Sequence, residues 1–186
     1  PRLTIHSCDA LRADLSALTG QRPFRLIGNL PYNISTPLIF HVLQWSDLII
    51  DMHFMLQKEV VDRMVAEPGS KDFGRLSVML QYRYHMERMF IVPPGAFNPS
   101  PKVDSAIVRM IPVDFSKVGA DATAKDPALF AKVVTAAFSQ RRKMLRNTLR
   151  EFISEADLAA LGITPTARAE DIAVADYVRL ANALAN

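Results

Sequence analysis

The chain has 186 residues, of which 49% are hydrophobic and 22% are charged, and its formal net charge is +3. These values are typical of a soluble globular protein with one domain and a small appendage. No apolar run is long enough to cross a membrane, and no signal peptide is visible. A single cysteine, Cys8, excludes an internal disulfide and indicates a reducing, cytoplasmic compartment.

The sequence begins with a proline instead of an initiator methionine, and the next residues already have the pattern of a strand. We therefore expect this chain to be the later part of a longer one. Apolar runs predict strands at 3–8, 24–30, 47–57, 86–97 and 105–113. Helical patterns occupy 10–20, 35–45, 58–70 and 74–84.

This alternation predicts an α/β architecture with mostly parallel strands as far as residue 113. Residues 114–127 are small, polar and glycine-bearing, and we interpret them as a linker. From 128 to 186 the pattern is helical only. The expected apolar positions there are Phe130, Val134, Ala137, Phe138, Leu145, Leu149, Phe152, Tyr177, Leu180 and Leu184.

The stretch "NLPY", Asn29 to Tyr32, follows an apolar run that we interpret as a buried strand. Ligands of open α/β sheets lie beyond the carboxyl ends of the strands. Pro31 has no N–H and restricts Leu30 to extended conformations, so carbonyl groups of this turn can point outward. With the Asn29 amide they form a pair of uncharged acceptors, and Tyr32 adds an aromatic face.

Two neutral acceptors and a ring suit the exocyclic amine of a purine. Acceptors on both N–H hydrogens favour a tetrahedral nitrogen whose lone pair can attack an electrophile. A buried carboxylate could also accept, but its desolvation is costly. The ring would stack on a base flipped out of its helix. The alternative is an ordinary strand-to-helix turn.

A second feature is "AFNPSPKVDS", residues 96–105, where two alternate prolines stiffen a loop headed by Phe97. Such a loop could form the second wall of a base slot. The alternative is a proline-rich loop with a core phenylalanine.

These stretches, with "HFMLQKEVVDRM", "GRLSV" and "FSQRRKMLRN", resemble the bacterial small-subunit ribosomal RNA adenine N6,N6-dimethyltransferases of the KsgA type. The resemblance spans nearly the whole chain. It implies that residues 1–113 are part of a Rossmann-like class I methyltransferase domain and that 128–186 form a small helical RNA-binding domain.

The resemblance also implies roles for individual residues. Asn29 and the Leu30 carbonyl would hold the adenine amine, while Tyr32 and Phe97 sandwich the base and Pro31 shapes the turn. S-adenosylmethionine would be the methyl donor. Its site would include Asn29, Asp9 at the end of the first predicted strand, and Ala10.

One departure concerns the glycine-rich cofactor loop of the family, which lies before Asp9. None of the seven glycines stands in a G-x-G arrangement. We therefore expect this polypeptide alone to bind S-adenosylmethionine weakly and to turn over poorly. Isothermal titration against the full-length protein tests this expectation, and equal affinity would contradict it.

The stretch "SQRRKMLRNTLR", residues 139–150, contains five basic residues and no acidic ones. A continuous helix here would place Arg142, Arg146 and Arg150 on one face. The residues alone fit either a solvated basic face or an RNA-binding surface, and the resemblance favours RNA. The predicted contacts are Arg141, Arg142, Lys143, Arg146, Asn147 and Arg150.

Two other functions stay open: a non-catalytic RNA-binding assembly factor, and a methylase of large-subunit RNA. An intact cofactor loop before Asp9 would favour an enzyme, and a degenerate loop would favour a binding protein. The histidines at 6, 41, 53 and 85 lack metal-ligand spacing, so no metal is expected. His41, in an apolar helical run, is interpreted as a core residue with its polar atoms satisfied. We expect a monomer that binds no membrane.

Overall fold

The computed structural model describes residues 3–185 and contains a mixed α/β fold. Its strands are Phe24–Asn29 (β1), Ile49–Gln57 (β2), Tyr84–Val92 (β3) and Ser105–Pro112 (β4). Its helices are Leu15–Thr19 (α1), Ser35–Val42 (α2), Lys58–Met64 (α3), Arg75–Gln81 (α4), Pro127–Ala137 (α5), Leu145–Thr148 (α6), Glu155–Ala160 (α7) and Val174–Leu184 (α8). No helix within these residues is long and apolar enough to cross a membrane.

The strands form one sheet in the order β1-β2-β4-β3. β1 and β2 are parallel, with Asn29 opposite Met55. β2 and β4 are antiparallel, with Gln57 opposite Ser105. The expectation of a mostly parallel sheet is therefore wrong for β4. The chain between β3 and β4 has no α-helix to serve as the crossover that a parallel connection requires.

Two further expectations about the first strands need correction. Residues 3–8 form no strand, because β1 is the terminal strand of the described sheet and pairs with β2 alone. β1 is not buried either, since every second residue is exposed. Ile27 is 78% exposed because no described element covers that face of the strand.

The contacts divide the chain into two compact units. One contains the described residues up to Val61 together with His85–Pro112. It carries β1, β2, β4, most of β3 and the loops after β1 and β3. Its core lies on the face of β2 formed by Met52, Phe54 and Leu56, each at most 1% exposed.

The other unit contains Asp62–Tyr84 and the residues from Val113 onward. It therefore takes in α4, whereas the predicted domains run strictly in chain order. Its core is helical, and most of the expected apolar positions are buried within it: Phe130, Val134, Ala137, Leu145, Leu149, Tyr177 and Leu180. The Tyr177 hydroxyl donates to the Ala169 carbonyl at 2.7 Å, and burial raises the pKa of this phenol.

Candidate functional site

The turn after β1 is held to the sheet by its backbone. The N–H of Leu30 donates to the Met55 carbonyl at 3.2 Å, and the N–H of Ile34 donates to the Pro31 carbonyl at 3.1 Å. Ser35 is the first residue of α2 and donates its hydroxyl to the Tyr32 carbonyl at 3.1 Å. The cap position is Ile34. The turn thus has a defined backbone shape before any ligand binds.

Two neutral acceptors of this turn are unused. Within residues 3–185, neither the Asn29 side-chain amide nor the Leu30 carbonyl has a hydrogen-bond partner. The Asn29 residue is exposed, whereas the Leu30 side chain is 6% exposed. The buried side chain fixes the Leu30 backbone, and the amide of Asn29 lies one residue before it. Each of these two groups can accept a hydrogen bond.

Leu30 is placed by a close approach at Gly28. A Cβ atom at Gly28 would lie 2.8 Å from Leu30 Cδ2 and 3.3 Å from Phe54 Cδ1. A side chain at this position would collide with Leu30 or displace it. A side chain at position 28 would therefore require Leu30, which is buried, to move.

The two aromatic residues differ in their surroundings. Tyr32 is 41% exposed, and its hydroxyl shares a 2.9 Å hydrogen bond with the Ser105 hydroxyl. Phe97 follows a 3-10 turn, Pro94–Ala96, and is half-buried. Neither ring contacts another aromatic ring among the described residues. No other aromatic ring of the described chain therefore competes for stacking on either of them.

The loop that carries Phe97 ends beside the carboxyl end of β2. The N–H of Lys58 donates to the Asp104 carbonyl at 2.9 Å, and Ser105 is opposite Gln57. Ser105 is 1% exposed and was missed by sequence reasoning. A serine at the start of a strand carries no signal of a partner 73 residues away.

Asp9 and Ala10, the predicted cofactor residues, lie in an exposed turn instead of at the end of a strand. Asp9 accepts a hydrogen bond from the N–H of Leu11 at 2.9 Å, and its other oxygen is 3.7 Å from Arg12. The exposed carboxylate retains acceptor capacity for an amino group, which fits the adenine edge of S-adenosylmethionine.

The same segment is attached to α2. His41 Nε2 lies 3.1 Å from the Ala13 carbonyl, and its Nδ1 lies 3.1 Å from the Gln44 amide. The expectation that His41 has satisfied polar atoms is thus confirmed, although the ring is half-buried at the edge of the core.

The basic stretch is not the single helix that was expected. Helix α5 ends at Ala137, and residues 138–144 form turns before the four-residue α6. The cause is a competing backbone partner. Met144 pairs with Arg168, and the N–H of Leu145 donates to the Ala167 carbonyl at 2.9 Å. These bonds use groups that a continuous helix would need.

The six predicted RNA contacts consequently differ in their surroundings. Arg141 donates to the Lys71 carbonyl, and Arg146 lies 3.5 Å from Glu155. Arg142 is exposed. Lys143, Asn147 and Arg150 line one cavity of about 540 Å³, together with the polar residues Ser139, Gln140, Thr148 and Glu151.

Comparison with known proteins gives consistent matches. A family profile described as ribosomal RNA adenine dimethylase matches residues 1–186. A protein of Aromatoleum aromaticum named ribosomal RNA small subunit methyltransferase A is 60% identical over 184 residues, covering 99% of this chain and 67% of that protein. The protein of the same name from Dechloromonas aromatica is 55% identical over 183 residues, covering 98% of this chain and 69% of that protein.

A solved structure has the same fold. It is a dimethyladenosine transferase from Plasmodium falciparum, with a TM-score of 0.75 and 23% identity over 94% of this chain and 70% of that one. The present chain thus spans about two thirds of the length of its sequence relatives.

Proposed function

Because the chain belongs to the ribosomal RNA adenine dimethylase family, we propose that it transfers methyl groups to N6 of two adjacent adenosines near the 3′ end of small-subunit ribosomal RNA. The names of its relatives support a small-subunit substrate. The single observation that carries the proposal is the pair of unpartnered neutral acceptors at Asn29 and Leu30.

The acceptors act on the nucleophile. The adenine amine is a poor nucleophile because its lone pair is delocalised into the ring. Hydrogen bonds from its two N–H groups to the Asn29 amide and the Leu30 carbonyl favour a tetrahedral nitrogen with a localised lone pair. Both acceptors are uncharged, so the site closes over the base without desolvating a carboxylate. Pro31 supports this geometry because its ring restricts Leu30 to extended conformations.

The aromatic residues hold the flipped base. Stacking on an aromatic side chain contributes about 1–3 kcal/mol per base. Tyr32 and Phe97 form the two walls in this proposal, and neither ring is engaged by another ring in the described chain. Holding the base in line with the methyl donor can lower the free-energy barrier by up to about 7–11 kcal/mol.

S-adenosylmethionine is the methyl donor, and when bound it supplies an electrophilic methyl group. Asp9 would accept from its adenine amino group, with Ala10 beside it, and Asn29 would border the methyl group. The chain needs no strong general base, because the alkylated amine is acidic enough to lose its proton afterwards. The two methyl transfers require a pocket that accepts a methylated amine.

The basic residues from Arg141 to Arg150 would bind RNA phosphates, and the helical residues 128–186 would be the RNA-binding domain. Lys143, Asn147 and Arg150 support this role because they line one polar cavity. Arginine and lysine at such sites give charge-assisted, salt-dependent contacts. We further propose that the protein acts as a cytoplasmic monomer.

A methyl-transfer assay with the full-length gene product tests the function. Labelled S-adenosylmethionine is supplied with precursor small subunits or with large subunits, and the RNA nucleosides are then separated by mass spectrometry. The proposal expects N6,N6-dimethyladenosine in small-subunit RNA. Label only in large-subunit RNA, or in no RNA, contradicts it and favours one of the two alternatives.

A further inference from the structure

We propose that Ser105 is a positioning residue for the base slot, because its hydroxyl fixes the position of the Tyr32 ring. This inference rests on the proposed function and adds a residue that takes no part in the chemistry. Its basis is the 2.9 Å hydrogen bond between the two side-chain hydroxyls.

Ser105 is itself held rigidly. It is the first residue of β4 and is 1% exposed. It lies opposite Gln57 in the β2–β4 ladder, and the preceding Asp104 carbonyl accepts from the Lys58 N–H at 2.9 Å. The Ser105 hydroxyl is therefore a fixed point at the carboxyl end of the central strand β2.

Tyr32 lies on the other side of β2. Its turn follows β1, and β1 and β4 flank β2 in the sheet, so the two strands are separated by about 10 Å. The bond to Ser105 requires the Tyr32 side chain to reach over the end of β2. The backbone of the turn anchors one end of this side chain, and Ser105 anchors the other.

Two anchors restrict χ1 of Tyr32 and therefore the position of its ring, whereas rotation about χ2 leaves the hydroxyl oxygen in place. The residue is 41% exposed, so packing alone leaves the side chain room to swing away from the slot. A flipped base stacks best on a ring that is already held in the required place, because ordering the side chain during binding lowers affinity. Ser105 also follows the loop that carries Phe97, so the same bond connects the supports of both walls.

The test compares the full-length gene product with Ser105→Ala, Tyr32→Phe and the double variant. The substrate RNA carries adenosine for kinetics, or 2-aminopurine at the target position for fluorescence. Each single variant is expected to raise KM for RNA about 3- to 10-fold, as the loss of one hydrogen bond does, with a smaller change in kcat. The quenching of 2-aminopurine should weaken in parallel.

The double variant decides whether the two hydroxyls act together. If they do, its KM equals that of either single variant, and a KM equal to the product of the two effects overturns the inference. Ser116→Ala removes an exposed hydroxyl bonded to Asp114 and should behave as wild type. A purely structural role would lower the melting temperature without changing quenching by the folded protein.

The outcomes separate this inference from the proposed function. If the wild-type protein methylates no adenosine, the proposed function fails. If it is active and Tyr32→Phe binds RNA as tightly as wild type, only the role of Ser105 is overturned. Tyr32→Phe removes the same bond from a half-exposed side chain, so it decides the question even if Ser105→Ala does not fold.

Discussion

The N–H of Leu30 donates to the carbonyl of Met55 at 3.2 Å, one residue beyond the last ladder position of β1. This bond ends the pairing of β1 with β2 and starts the turn. The Leu30 N–H is used, whereas its carbonyl has no hydrogen-bond partner among residues 3–185. The amide of Asn29 is the second acceptor of the same turn.

Replacing Asn29 by alanine removes one acceptor and should reduce kcat/KM for methyl transfer about 10- to 100-fold, the cost of an unpaired polar group in the reacting complex. Asn29→Asp keeps an acceptor oxygen at this position and should retain more activity than Asn29→Ala. Because Asn29 is exposed, neither change should alter the free energy of unfolding by more than about 0.5 kcal/mol. Equal activity of all three proteins would contradict the role of the amide.

Replacing Phe97 by alanine should weaken stacking of the flipped base by about 1–3 kcal/mol. Phe97→Tyr keeps the ring and is the matched control. The measurement is the dissociation constant of RNA with 2-aminopurine at the target position. If the alanine variant binds as tightly as the tyrosine variant, Phe97 is not a wall of the slot.

Gly28→Ala should destabilise the protein by about 1–3 kcal/mol, because the new Cβ would lie 2.8 Å from Leu30 Cδ2 in a packed region. Chemical denaturation followed by circular dichroism measures the change. Gly119→Ala is the control, since nothing lies within 4 Å of its added Cβ. Similar stability of both variants would show that Leu30 is not held by this contact.

Replacing Arg142 and Arg146 together by alanine should weaken RNA binding and reduce its salt dependence. The logarithm of the binding constant falls linearly with the logarithm of the salt concentration. The steepness of this line should decrease by about 0.7–0.9 for each RNA phosphate that the variant no longer neutralises. The pair Lys143 and Arg150, which share a cavity, should behave in the same way. Arg179→Ala removes an exposed arginine paired with Asp176 and should leave the slope unchanged. An unchanged slope in either double variant removes that pair from the interface.

Arg141 should behave differently from its neighbours, because its guanidinium donates to the Lys71 carbonyl. Arg141→Ala is expected to lower the melting temperature as well as RNA affinity, whereas Arg142→Ala should lower affinity alone. Differential scanning fluorimetry measures the melting temperature of each variant independently of its RNA affinity. Equal melting temperatures would assign Arg141 to RNA contact only.

Local pattern predicted much of the fold. The apolar runs 47–57 and 105–113 contain the strands β2 and β4, as expected, and the α/β class with a helical part is confirmed. The predicted family, enzyme class and methyl donor are likewise confirmed by the family match and the named relatives.

The errors arose where partners distant in sequence decide local structure. The basic stretch has good helical spacing, but Met144 and Leu145 pair with residues 167–168 instead. The exposure of Ile27 depends on which elements cover β1, and an apolar run in the sequence does not predict whether a strand is covered on both faces. The hydrogen bond between Tyr32 and Ser105 could not be predicted from local sequence either, because the order of the strands in the sheet brings the two residues together.

The roles of the predicted site residues stay predictions, and one comparison tests the central role most directly. The full-length protein and its Asn29→Ala variant are titrated with RNA carrying either adenosine or purine riboside, which lacks the amino group, at the target position. The wild-type protein should prefer adenosine about 10-fold, and the variant should lose most of that preference. An equal preference in both proteins would contradict recognition of the amino group by Asn29.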